Sequence, residues 1–196
     1  MLSLFFGIAA FVLYLLYDIN SFRWKTRLLR WAFLAGTFLI AAATGLDLFH
    51  AWNARAFSGV GDLLLLAGAC LWFALLLYCL FFALPFQQTY TQQATGNRVY
   101  CGGVYALCRH PGILCFFFLY LMLGLAALPE CLLRNGMVFS LLDLLYAWFQ
   151  DRVTFPKTFC DYREYQKSVP FLIPTSASIR MAKQTLFHTD VQEDIL

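Results

Sequence analysis

The densest chemistry in the chain is the run Gly103-Val104-Tyr105-Ala106-Leu107-Cys108-Arg109-His110-Pro111. Proline suits the first turn of a helix, where its missing N–H would have gone unpaired, so a helix is expected to open at Pro111. The free N–H groups of such a turn, with the positive end of the helix dipole, favour an anion. Arg109 adds a planar fork that grips a carboxylate or phosphate. His110 adds a donor or acceptor that changes near neutral pH, and Gly112 removes a side chain where a ligand approaches. The same residues also read as a basic anchor at the end of a membrane span. The cluster alone leaves both readings open.

A second cluster is Trp148-Phe149-Gln150-Asp151-Arg152. A helix C-terminus prefers cations, so Asp151 implies that the helix continues or that the carboxylate has a partner. Asp143 lies eight residues earlier, about 12 Å along a helix, where an ionisable group within lipid is a functional candidate. A polar contact between helices explains Asp143 equally well. The third cluster runs from Phe159 to Pro174, where Phe159, Tyr162 and Tyr165 recur every three residues. That spacing gives a short helix an aromatic stripe. Val169-Pro170-Phe171-Leu172-Ile173-Pro174 follows as an apolar turn at the membrane surface or under the bundle.

The elements that position these clusters follow from composition. Apolar residues make up 61% of the 196, and charged residues 13%, against roughly 45–50% and 25% in a globular domain. Mean hydropathy is +0.67. A soluble domain of this size cannot hide so much apolar surface, which excludes an ordinary cytosolic enzyme, a disordered chain and a nucleic-acid binder. Lipid offers no partner for backbone polar groups, so the spans must be helices. Five are expected, at about Leu2–Tyr17, Trp31–Trp52, Gly61–Phe86, Pro111–Leu128 and Cys131–Gln150. The first lacks a basic n-region and a cleavage site, and reads as a retained helix.

Charge sets the orientation. Twelve basic residues fall in the first and third loops and the C-terminal stretch, and only Arg55 and Arg134 fall in the second and fourth loops. The positive-inside rule then puts the N-terminus outside and the C-terminus in the cytoplasm, as an odd span count requires. The fold expected is all-α, a polytopic bundle of about five transmembrane helices. It would form one domain over 1-174, with a cofactor-site half at 94-174 and a polar, flexible tail at 175-196 that ends in Asp190, Glu193 and Asp194. The seven cysteines include no CxxC pair, so neither a disulfide framework nor a metal site is expected.

Taken together, the clusters resemble the isoprenylcysteine carboxyl methyltransferase family, and more distantly the phospholipid N-methyltransferases. Gly103, Tyr105, Arg109, His110 and Pro111 match the family's Gly-x-Tyr turn and Arg-His-Pro helix opening. Phe159, Tyr162, Tyr165, Val169, Pro170, Ile173 and Pro174 match its second motif. The likeness covers about Gly102 to Pro174. Ile113 and Cys115 replace the usual Tyr and Gly after Arg-His-Pro, and Cys160 replaces the Gly after the Phe. One residue is missing before Tyr162, and Asp151 and Arg152 stand where a Glu doublet is usual.

The resemblance implies an integral membrane methyltransferase with S-adenosylmethionine as cofactor, bound on the cytosolic side, in a bacterial inner membrane or the endoplasmic reticulum. Tyr105, Arg109, His110, Pro111, Tyr162, Tyr165 and Asp151 would bind it. Arg109 would take the carboxylate, Asp151 the ribose diol, and Tyr162 or Tyr165 the adenine. The acceptor would be a lipophilic small molecule or a lipidated group entering from the bilayer. Asp151 and Arg152 are the expected catalytic residues. Arg152 would orient a carboxylate acceptor, and Asp151 or Asp143 would serve as base for an amine. The rival expectation is a non-catalytic scaffold or sensor of the same fold. A transporter finds little support, since no pair of spans carries matched polar interruptions.

Overall fold

The computed structural model describes residues 1–54, 57, 59–83, 98–127 and 131–187. Among the described residues every regular element is helical. Helix α1 (Leu2–Ile19) passes through a π turn (Asn20–Trp24) and a 3-10 turn (Leu28–Trp31) to α2 (Ala32–Asn53). Helix α3 (Val60–Leu77) ends in a second π turn (Tyr78–Phe82). Then come α4 (Val104–Leu107), α5 (Pro111–Ala126) and α6 (Cys131–Phe149), which a π turn (Gln150–Thr154) extends into α7 (Phe155–Thr158). Helices α8 (Tyr162–Ser168) and α9 (Ser176–Phe187) follow.

Each expected span has its helix. With the turns that extend them, Leu2–Trp24, Leu28–Asn53 and Val60–Phe82 are long and apolar enough to cross a membrane. Helix α5 is apolar but has only 16 residues, about 24 Å at 1.5 Å per residue. Helix α6 carries Arg134, Asn135 and Asp143. The expected span ends at Phe86 and Leu128, the basic Arg55 and the acidic residues after Phe187 lie outside the described residues, as does the start of the site half at 94. The distribution of polarity is that of a membrane protein. Leu34, Phe38, Leu63, Leu64, Leu71 and Phe73 are exposed while Asp18, Asn20, Asp47, Asn135 and Ser140 are buried, the inverse of a soluble domain.

The turn after α1 shows how the sequence closes a helix without glycine. Lys25 adopts a left-handed conformation, φ 55°, which costs a non-glycine residue about 1–2 kcal/mol. Asn20 offsets this. Its Oδ1 accepts from the Thr26 N–H at 2.8 Å and from Thr26 Oγ1 at 2.9 Å, and its Nδ2 donates to the Thr26 carbonyl at 3.0 Å.

The chain forms two compact units. The first comprises Met1–Phe73 and Phe116–Gln150, the second Ala74–Cys115 and Asp151–Leu196. The expected site half is therefore divided, its motif clusters in the second unit and most of the hairpin between them in the first. In the first unit Phe11, Ala43, Tyr120 and Phe139 form one core and Ala69, Leu123, Ala127 and Leu132 another. Helices α5 and α6 pack there through Gly124, where a Cβ would sit 2.6 Å from Leu133 Cα. Backbone cannot yield as a side chain can. Gly124→Ala is expected to cost about 1–3 kcal/mol of stability, read as a lower unfolding temperature in detergent. An unchanged temperature would mean that the hairpin packs more loosely.

In the second unit Tyr162, Tyr165 and Val169 form a core with Val99, Cys101, Phe155, Phe159 and Met181 around it. The polar stretch from Thr175, expected as a loose tail, is helical through Phe187 with Ser178 and Ala182 buried. Its start is capped, because Thr175 N–H donates to Ser178 Oγ and Ser178 N–H returns a bond to Thr175 Oγ1. Reciprocal bonds of this kind satisfy the free donors of a first turn. Thr185 Oγ1 then accepts from the Gly103 N–H at 3.0 Å.

Candidate functional site

Asp151 is the centre. The helix continues past Phe149 and the carboxylate has partners, so both answers to its apparent misplacement hold. Its Oδ1 accepts from Arg109 Nε at 2.8 Å and Tyr162 Oη at 2.7 Å, and lies 3.4 Å from His110 Nε2. Its Oδ2 accepts from Arg109 Nη2 at 3.2 Å and Gln166 Nε2 at 3.0 Å. Asp151 is 3% exposed. A carboxylate has about four lone-pair sites, and these five donors fill them.

Arg109 is equally engaged. Beside the two-point bond to Asp151, its Nη1 donates to the carbonyls of Gln166 at 3.0 Å and Val169 at 2.6 Å. Its backbone N–H donates to the Pro170 carbonyl at 2.9 Å. Four of the five guanidinium N–H groups are thus used, and the Val169-Pro170 turn is wrapped around the side chain. His110 stacks on Phe155 at 5.8 Å and leans on Phe171 at 5.0 Å. The Phe171 ring also lies 5.7 Å from the Arg109 guanidinium carbon.

Burial pushes the Asp151 carboxyl up, but the hydrogen bonds from His110, Tyr162 and Arg109 and the guanidinium charge outweigh it. The carboxyl is held well below the usual carboxylate range. Burial and the bond to Asp151 raise Tyr162, which remains a phenol and donor. Burial pushes the Cys108 thiol up to about 11, which leaves it unreactive at neutral pH.

The structure brings Arg109, His110, Asp151 and Tyr162 together and starts a helix at Pro111, as the motifs imply. Tyr105 and Tyr165 stand one step away. Tyr165 Oη donates to the Tyr105 carbonyl at 2.7 Å, and Tyr105 Oη to the Cys79 carbonyl at 2.8 Å. The expected division of labour meets different partners. Arg109 grips Asp151, Asp151 has no lone pair left for a ribose, and Tyr162 and Tyr165 are too buried to offer a face to adenine. Arg152 is exposed and has no hydrogen bond or ion pair among the described residues. Asp143 and Gln150 belong to the first unit. Gln166 was missed. The signal for it is its place four residues after Tyr162, on the same face of α8.

This is a buried polar cluster in the turn that follows α6, tied to a helix that opens with Arg-His-Pro. Compared with family profiles, curated proteins and solved structures, the chain matches none.

Proposed function

We propose that the chain is an integral membrane S-adenosylmethionine-dependent methyltransferase acting on a lipophilic acceptor, a carboxylate or an amine, at the cytoplasmic leaflet. One observation carries the reading: Arg109 and His110 meet Asp151 and Tyr162, 41 to 53 positions further along the chain, at a single carboxylate. Arg109, His110 and Tyr162 are among the residues in which the sequence resembles the prenylcysteine and phospholipid methyltransferases, and Asp151 stands where those have a Glu doublet. The bundle would span the membrane five times, N-terminus outside, in a bacterial inner membrane or the endoplasmic reticulum.

The residues fit the cofactor once roles are reassigned. One Arg109 Nη2 N–H and His110 Nδ1 have no bond among the described residues. Gly112 presents no side chain there; among the described residues a Cβ would make an ordinary contact with Leu76 Cδ1 at 3.7 Å. A carboxylate suits the remaining Arg109 N–H beside a helix N-terminus. S-adenosylmethionine supplies an electrophilic methyl on a sulfonium. Asp151 fixes the guanidinium plane, and thereby the direction of the remaining N–H. Phe155 and Phe171 keep water from His110. Arg152, exposed on the same turn as Asp151, receives an acceptor carboxylate.

A second reading, a non-catalytic scaffold of the same fold, is favoured by the filled lone pairs of Asp151. Calorimetry with S-adenosylmethionine and its demethylated product on detergent-purified protein separates the two. Saturable binding is expected, with transfer of a labelled methyl to a prenyl-thiol carboxylate or a lipid amine. Arg152→Gln should lower transfer and leave binding intact. Absence of saturable binding would favour the scaffold. Orientation has its own check: impermeant maleimide should reach the exposed Cys160 from the cytoplasmic side and Arg134→Cys from outside, and the reverse pattern would overturn the site's placement.

A further inference from the structure

The turn that joins the first two spans carries charge that methyl transfer does not use. Arg23, Lys25, Arg27 and Arg30 fall within eight positions, and no acidic residue lies between Asp18 and Asp47. All four cations are exposed, and none has an ion pair among the described residues. Interleaved with them are Trp24, Leu28 and Trp31, which are 48%, 81% and 67% exposed. The turn ends Leu2–Trp24 and opens Leu28–Asn53, both long and apolar enough to cross a membrane. With these two helices in a bilayer, the turn stands at the level of the lipid headgroups, whichever way the chain is threaded.

The shape of the turn sorts its side chains. Leu28–Trp31 is a 3-10 turn, and the Arg30 N–H donates to the Arg27 carbonyl at 3.3 Å. Three residues per turn bring positions i and i+3 into line. Arg27 and Arg30 therefore form one row, and Leu28 and Trp31 form another about 120° round the same turn. Before them Lys25 keeps its left-handed backbone because the buried Asn20 side chain fastens Thr26 through three hydrogen bonds. At the base, Tyr17 of α1 packs on Phe33 of α2 with ring centroids 5.5 Å apart. A basic anchor for a span needs only positive charge nearby. It needs neither a positive φ in a non-glycine residue nor two guanidinium forks in register. Backbone strain persists only where the surroundings enforce it, and it clusters at ligand clamps.

We propose that this turn is a binding surface for the headgroup of an anionic phospholipid. Arg27 and Arg30 grip the phosphate, whose oxygens a planar fork meets with parallel N–H bonds. Arg23 and Lys25 make the surface prefer an anionic lipid, because a zwitterionic headgroup would bring its own cation beside theirs. Leu28 and Trp31 enter the boundary between headgroups and acyl chains, a zone in which Trp is enriched. An acidic soluble partner would satisfy the cations but not the apolar row, whereas a lipid covers both. The surface lies wholly within the first unit, so it stands or falls independently of the methyltransferase reading.

The test uses the full chain purified in detergent and titrated with equal amounts of phosphatidylglycerol and phosphatidylcholine of the same acyl chains. Native mass spectrometry counts each lipid retained. Phosphatidylglycerol is expected to bind more tightly, and added salt to weaken it. Arg27→Gln and Arg30→Gln should each lower its affinity about fivefold, the contribution of one basic residue at an anionic lipid surface. Asn20→Ala keeps every charge but releases the turn, and should weaken binding as well. Arg163→Gln, which removes an exposed cation of the second unit, should leave it unchanged. Elution profile and helical circular dichroism show that the variants are folded. Equal affinity for the two lipids, an equal loss in Arg163→Gln, or wild-type binding by folded Arg27→Gln and Arg30→Gln or by folded Asn20→Ala would overturn the proposal and leave the turn as a basic anchor.

Discussion

Asp151→Asn is expected to destabilise the second unit by about 3–5 kcal/mol, the cost of leaving one member of a buried ion pair without its partner. The side chains of Arg109 and Asp151 are 11% and 4% exposed, so water cannot take over. An Asn carbonyl can still accept from Arg109 Nε, but its NH2 would face Arg109 Nη2 and Gln166 Nε2, donor against donor. The Val169-Pro170 turn, held through the guanidinium, loosens with it. Cys108, buried beside Arg109, reports the change. Site-resolved alkylation at neutral pH should be slow in wild type and fast in Asp151→Asn. Equal rates would show that the pair contributes little.

Arg109→Met with Asp151→Leu extends the argument. Replacing both members of a buried pair by apolar groups is often neutral or stabilising, so slow alkylation of Cys108 should return in part. Binding of S-adenosylmethionine should not return, because the remaining Arg109 N–H is gone. Recovered protection together with undiminished binding would remove Arg109 from the proposed site.

How much of this was legible in the sequence depends on what spacing encodes. Pro111 marks a helix start wherever it lies, and the apolar runs mark helices, so these elements were readable. The type and order of Arg109, His110, Asp151 and Tyr162 pointed to convergence. Their mutual saturation did not follow, because residue types do not say whether a guanidinium faces a ligand or a neighbour. Gln166 required the register of α8. Helix α9 was hidden by its polar composition, although Thr175 and Ser178 carry a capping pattern. The contact of Ser3 and Asp47 with Asn135 joins residues 132 and 88 positions apart, and nothing local announces it.

Acid should reproduce the Asp151→Asn effect in the wild-type chain. A carboxyl in the unfolded chain titrates at about 3.9, whereas folded Asp151 is held well below that range. Over that interval the unfolded state binds more protons than the folded one. The stability from the pair is therefore fully present above the unfolded value and is lost as pH falls towards the folded one. Pepsin works across these pH values and cuts only opened chain. Cleavage between Phe159 and Phe171 should be negligible at pH 5 and rise steeply below about pH 4 in wild type. In Asp151→Asn it should be high already at pH 5 and nearly flat, since the titrating group is gone. Parallel profiles in the two proteins would assign the acid response to other carboxylates, and Asp151 would then not be the group on which folding of this unit turns.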